Sequence, residues 1–116
     1  MGDRVLVQVE SDEGGVSPVL YLHWGGSIVT DLIRETAELM KGRDNAVSYA
    51  FARLVGGAHV RVPGNLSVGV WNHADRLVEK DTHGDAGCYV VNCVTWEVEA
   101  FGGYGQSFNA REGEAE

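Results

Sequence analysis

Apolar and polar positions alternate from the start of the chain. In RVLVQVES (residues 4–11), Val5, Val7 and Val9 fall on one side, and Arg4, Gln8 and Glu10 fall broadly on the other. This period of two predicts a half-buried strand. DEGG (12–15) supplies turn residues, and PVLYLHW (18–24) reads as a second strand. Its faces are Val19, Tyr21 and His23 against Leu20, Leu22 and Trp24, both largely apolar, which predicts a central position in a sheet. Pro18 stands at its start, where a missing N–H costs little.

The period then changes. Ile28, Val29, Leu32, Ile33, Thr36, Leu39 and Met40 form one stripe at helical spacing, with Ser27 as the expected N-cap and Gly42 as the stop. A second helix is expected from Ala46 to Val55, ended by Gly56 and Gly57. After VPGN (62–65), LSVGVWN (66–72) reads as a strand with Leu66, Val68 and Val70 on one face. A polar stretch (73–87) breaks the pattern before CYVVNCVTWEVEAF (88–101) restores strand character. That run reads either as one long strand or as a hairpin turning near Asn92 to Thr95, with Trp96, Val98 and Ala100 on one face. The order ββααβββ predicts an α+β fold, an antiparallel sheet of four to five strands with the helix pair on one face. Residues 1–101 are expected to form one domain, and 102–116 a flexible acidic tail.

Composition narrows the function classes. The chain has 116 residues and a formal charge of −8, with nine Lys and Arg scattered along it. Duplex binding needs clustered cations, so it is disfavoured. No apolar stretch is long enough to span a bilayer, and MGDRVLVQVE does not read as a secretory signal. Cys88 and Cys93 lie five apart on a predicted strand and point to opposite faces. Two free thiols in a reducing compartment follow, and the cytoplasm of a bacterial host is the expected location.

The stretches that could carry chemistry are few. YLHWGGS (21–27) runs a strand through Gly25 and Gly26 into a helix start, where free N–H groups could cradle an anion. It lacks the Lys and further glycines of a phosphate loop, and a tight turn capped by Ser27 competes with the anion reading. His23 and Trp24 should project to opposite faces, one into the core. No nucleophile frame surrounds His23, so no catalytic residue is assigned. An enzyme acting on a nucleotide or phosphodiester through His23 or His73 with Asp85 is the competing reading. The histidines and cysteines lack metal-ligand spacing, and DTHGDAG (81–87) reads as a turn; no metal and no cofactor are expected. Arg53, near the expected end of the second helix, could face a phosphate or pair with the helix dipole. Trp71, Tyr89 and Trp96 are expected in the core, and Tyr104 and Phe108 are candidates for docking on a second chain.

Five blocks, MGDRVLV, LYLHWGG, YAFAR, LSVGV and GDAGCYVV, together resemble a family of small uncharacterised proteins encoded by bacteriophages, prophages and plasmids. The resemblance covers most of residues 1–100, and relatives carry Asn where this chain has Ala86. It implies a mobile-element setting and no catalytic residue. From it follows the expectation of a non-enzymatic binding protein, a homodimer, that inhibits a host defence factor. An acidic surface blocking a protein partner would do this. So would sequestration of a signalling nucleotide in a pocket lined by Arg53, Trp24 and the Gly25–Gly26 backbone, completed by another chain. The candidate residues for binding a ligand or a partner are His23, Trp24, Gly25, Gly26, Ser27, Arg53 and Asp85. A structural accessory of a mobile element is a third reading.

Overall fold

The computed structural model describes residues 3–62 and 68–112. Its elements are β1 (Val5–Glu10), β2 (Val16–Leu22), α1 (Val29–Leu39), α2 (Val47–Arg61), β3 (Val68–Trp71), β4 (Gly87–Asn92), β5 (Glu97–Phe101) and β6 (Phe108–Asn109). The expected VPGN turn and Leu66 fall partly or wholly outside the described residues. The fold is α+β, but the sheet is mixed and has six strands in the order β3-β2-β1-β4-β5-β6. All pairs are antiparallel except β1 with β4, which run parallel from Val5↔Gly87 to Glu10↔Asn92. The expected all-antiparallel sheet of four to five strands is therefore corrected; β2 is interior, paired with β1 and β3, and the middle of the sheet is β1 and β4.

The reason lies in the polar stretch. β3 and β4 point the same way, so the chain must cross back between them, as a same-direction connection requires. Residues 72–86 make that crossover over one face of the sheet. Leu77 is its apolar anchor, packed with Leu6, Val19, Cys88 and Val90. The helix pair covers the other face, where Val5, Val7, Val9, Leu20, Leu22, Val91 and Val98 meet Leu32, Ile33, Ala50 and Leu54. β1 is thus buried on both sides, not on one. Gln8 lies wholly buried on the crossover face and binds the crossover directly.

Local corrections have local causes. α1 begins after Ile28, and no side chain caps it, so Ser27 is exposed and not an N-cap. Leu39 drops out of the buried stripe to 56% exposure. α2 runs through Gly56 and Gly57 to Arg61. At Gly57 a Cβ would lie 2.7 Å from Leu32 Cδ1, so the missing side chain lets the two helices approach. The long apolar run is a hairpin, and Asn92 Oδ1 accepts from the N–H groups of Val94 at 2.8 Å and Thr95 at 3.0 Å. Cys88 and Cys93 are free, buried, and in different core clusters. Burial pushes the Cys88 thiol up to about 11.

Residues 102–112 belong to the folded body, against the expected boundary at 101. β6 pairs with β5, Phe108 packs on the core, and Ala110 is buried. Arg111 anchors the segment. Its guanidinium grips Asp44 at 2.8 and 3.0 Å, donates to the Ala37 carbonyl at 2.9 Å, and lies 5.0 Å from the Trp96 ring centre. The Arg111 bonds hold the Asp44 carboxyl below its ordinary value of 3.8, with the Trp96 indole N–H adding to the effect. A depressed carboxyl contributes stability that is present above its ordinary pKa and lost as pH falls through the folded value. Arg111→Ala is expected to cost about 1–2 kcal/mol at neutral pH, chiefly through lost hydrogen bonds and ring packing. The gap between wild type and variant should close below about pH 4, because wild type loses the Asp44 contribution there. Thermal unfolding of both proteins across that range checks it.

Candidate functional site: an aromatic and imidazole patch

β2 and β3 place their odd-numbered residues on the crossover face, and at one end these extend beyond its cover. Tyr21 of β2 stacks on Trp71 of β3 with ring centres 5.5 Å apart and planes at 30°. His83, at the end of the crossover, meets both rings, at 5.7 Å from Tyr21 and 6.1 Å from Trp71. His23 follows the end of β2; its Nδ1 and the Tyr21 hydroxyl share a hydrogen bond of 2.7 Å. Trp24 stands 4.9 Å from His23, edge to face. Trp24 is 55% exposed and Trp71 39%. Five ring side chains from three segments thus form one continuous, partly wet surface.

Carboxylates rim this patch. The main-chain N–H of Arg4 donates to Asp85 Oδ2 at 3.0 Å, and the Arg4 Nε donates to the same oxygen at 2.9 Å. These bonds hold the Asp85 carboxyl below its usual range and fix its left-handed backbone at φ 56°. His73 Nε2 lies 3.7 Å from Asp81 Oδ1. Asp3 accepts the Tyr104 hydroxyl, which pushes that phenol up to about 12. Tyr104 is therefore exposed but tied down, and Phe108 is packed within its own chain beneath Arg34.

The glycine turn does not form an anion cradle. The N–H groups of Gly25 and Gly26 both donate to the Asp3 carbonyl, at 3.0 and 3.3 Å. The Asp3 carboxylate also occupies the space beside Gly26, where a Cβ would lie 2.5 Å from its Oδ1. A negative group already fills the position a phosphate would take. Gly25 is needed for packing, since a Cβ there would meet Leu22 and Val5 within 2.8 Å.

The sequence candidates are only partly brought together. His23 and Trp24 belong to the patch, the glycine turn follows it in the chain, and Asp85 stands at its rim. Ser27 is exposed and makes no cap. Neither His23 nor Trp24 enters the core, against expectation. Arg53 lies apart, on the outward side of α2 with Glu35, Leu39 and Val60, lining a groove of about 310 Å³. It sits mid-helix, donates to the Tyr49 carbonyl at 3.3 Å, and is not at the helix end. No hydrogen-bonded pair of His23 or His73 with Asp85 forms: Asp85 binds Arg4, His23 binds Tyr21, and His73 bonds the Asp75 carbonyl. Tyr21, Trp71 and His83 complete the site with no mark in the sequence that assigns them to it. Trp71, expected in the core, lies on the surface.

Among the described residues, no group of three or more His, Cys, Asp or Glu side chains is placed to hold a metal ion. No helix among them is long and apolar enough to cross a membrane. The molecule is thus an α+β chain whose mixed sheet carries an aromatic patch beside its crossover. No protein-family model matches it, and no match is found among curated proteins or solved structures.

Proposed function

We propose that this chain is a non-enzymatic binding protein of mobile-element type, which inhibits a host factor by covering a surface of that protein. The aromatic and imidazole patch is the contact surface in this reading. The observation that carries it is the exposure of Trp24 and Trp71 at 55% and 39%, on one face with Tyr21, His23 and His83. Tryptophan and tyrosine dominate the energetic centres of protein interfaces, and contiguous apolar area on a protein surface marks such sites. The occupied N–H groups of Gly25 and Gly26, the carboxylate beside them and the separate position of Arg53 favour a protein partner over a nucleotide. The five-block resemblance to small phage-encoded proteins supports the inhibitory role.

The test compares tagged wild type with Trp24→Ala and Trp71→Ala in the bacterial host. Wild type should retain one partner stoichiometrically and suppress that partner's activity when both are purified. Each variant should weaken the complex about 30-fold, as a central aromatic anchor worth roughly 2 kcal/mol does. Turnover of a nucleotide by the purified protein, lost on His23→Ala, would instead establish the enzyme reading.

A further inference from the structure

We infer that the partner meets the patch with arginine side chains, whose guanidinium planes lie against Trp24 and Trp71. The inference rests on the patch being the docking surface, and it names the chemistry that surface selects.

The chain contains its own template for such a contact. At Trp96, the Arg111 guanidinium lies 5.0 Å from the ring centre while Asp44 binds it through two oxygens. Ring, carboxylate and arginine are all supplied internally. The chain repeats the arginine-on-ring element elsewhere: Arg34 at 5.0 Å from Phe108, Arg43 at 4.2 Å and Arg53 at 5.6 Å from Tyr49. At the patch, two of the three components are present. The rings are Trp24, Trp71 and Tyr21, and the carboxylates are Asp3, which pairs along the backbone with Trp24 and accepts the Tyr104 hydroxyl, and Asp85, which acts on His23 and binds Arg4. Among the described residues, no arginine stacks on any of these three rings. Arg4, which interacts electrostatically with Tyr21, is bound to Asp85.

Charge points the same way. Asp3 and Asp85 outnumber Arg4 at the rim, and the chain as a whole carries −8. On the crossover, Asp75 and Glu79 are exposed against one exposed cation, Lys80. A cationic face would be drawn to this side, and an anionic one repelled. Between the two cationic side chains, arginine fits better. Its flat, weakly hydrated guanidinium stacks on an aromatic face, whereas the lysine ammonium is a compact, strongly hydrated charge.

Tryptophan emission reads the contact directly, because Trp96 is fully buried while Trp24 and Trp71 are not. The probes are four: a capped heptapeptide of alternating glycine and arginine, its lysine and glutamate counterparts, and AMP. The arginine peptide should change the emission saturably and bind at least five-fold more tightly than the lysine peptide. Raising salt from 50 to 300 mM should weaken it about ten-fold, as exposed charges become screened. The glutamate peptide and AMP should leave the emission unchanged. For the double variant Trp24→Ala, Trp71→Ala, whose fold is checked by circular dichroism, binding measured calorimetrically should fall at least ten-fold. Equal affinity for arginine and lysine peptides, binding of the glutamate peptide or AMP, or unchanged affinity in the double variant would each overturn the inference. A partner captured through Trp24 and Trp71 by a face without arginine would overturn it while leaving the blocking function intact. Arginine-peptide binding with no patch-dependent partner would do the reverse.

Discussion

Gln8→Leu should lower the stability of this protein by about 3 kcal/mol, roughly 10 °C in melting temperature. Gln8 is fully buried, and every polar atom of its side chain is used. Its Nε2 donates to the Ser17 carbonyl at 3.1 Å and to the Asp75 carbonyl at 3.0 Å. Its Oε1 accepts the Leu77 main-chain N–H at 2.9 Å. Leucine has a similar volume, so packing is largely kept. What is lost is the pairing of three main-chain groups, two of them in the crossover, and an unpaired buried group costs far more than a missing pair. The crossover also carries His83 and Arg76, and Arg76 ties it to Glu10 at 2.8 Å and Glu99 at 2.6 Å. Loosening Gln8 should therefore disturb the patch as well as the fold. Thermal unfolding and hydrogen exchange at the Leu77 amide check this together. A loss under about 0.5 kcal/mol would mean that Gln8 does not hold the crossover.

Gly103→Ala should be at least as damaging, costing roughly 3 kcal/mol or more, because the obstruction is main chain that cannot rotate away. A Cβ at Gly103 would lie 2.5 Å from both the Ala86 carbonyl carbon and the Gly87 nitrogen, and nearer still to the Asp85 carbonyl oxygen. The same approach is cross-bonded by the two residues that follow: the Tyr104 N–H donates to the Asp85 carbonyl at 2.9 Å, and the Gly105 N–H donates to the Ala86 carbonyl at 3.1 Å. Gly56→Ala is the matched control. Nothing lies within 4 Å of a Cβ there, and the residue is inside α2. Alanine should stabilise that position by about 0.5–1 kcal/mol, since glycine is the poorer helix former. Opposite signs for the two substitutions, read by thermal unfolding, would show that residues 102–105 are integral to the domain. Equal effects would contradict that packing.

Much of the helix-covered face of the sheet is legible in the sequence. The alternation of Val5, Val7 and Val9, the helical stripe of Val29, Leu32, Ile33, Thr36 and Met40, though not its Leu39, and the opposed burial of Cys88 and Cys93 follow from period alone. The hairpin at Asn92 is legible as one of two alternatives, because Asn can accept the N–H groups of its own turn. The ends of elements are not. Ser27 has the chemistry of a cap but lies outside the helix start; Gly56 and Gly57 look like a stop, yet α2 runs through both, and at Gly57 α1 makes a close approach.

The candidate site is half legible. YLHWGGS draws attention to His23 and Trp24 by composition, but its glycines serve packing and an internal carbonyl rather than a ligand. Trp71 and His83 carry no local mark that joins them to Tyr21. They meet it only because β3 pairs with β2 and the crossover ends beside both.

Which side of each strand and helix is apolar is written in the chain's own pattern, because burial follows the period of two or 3.6 residues that neighbouring side chains obey. The direction of β4, the second covered face and the exposure of the aromatic patch come from long-range packing instead. A strand pattern is the same read in either direction. The crossover buries a single leucine, Leu77, in an otherwise polar run, too little for any periodicity to report.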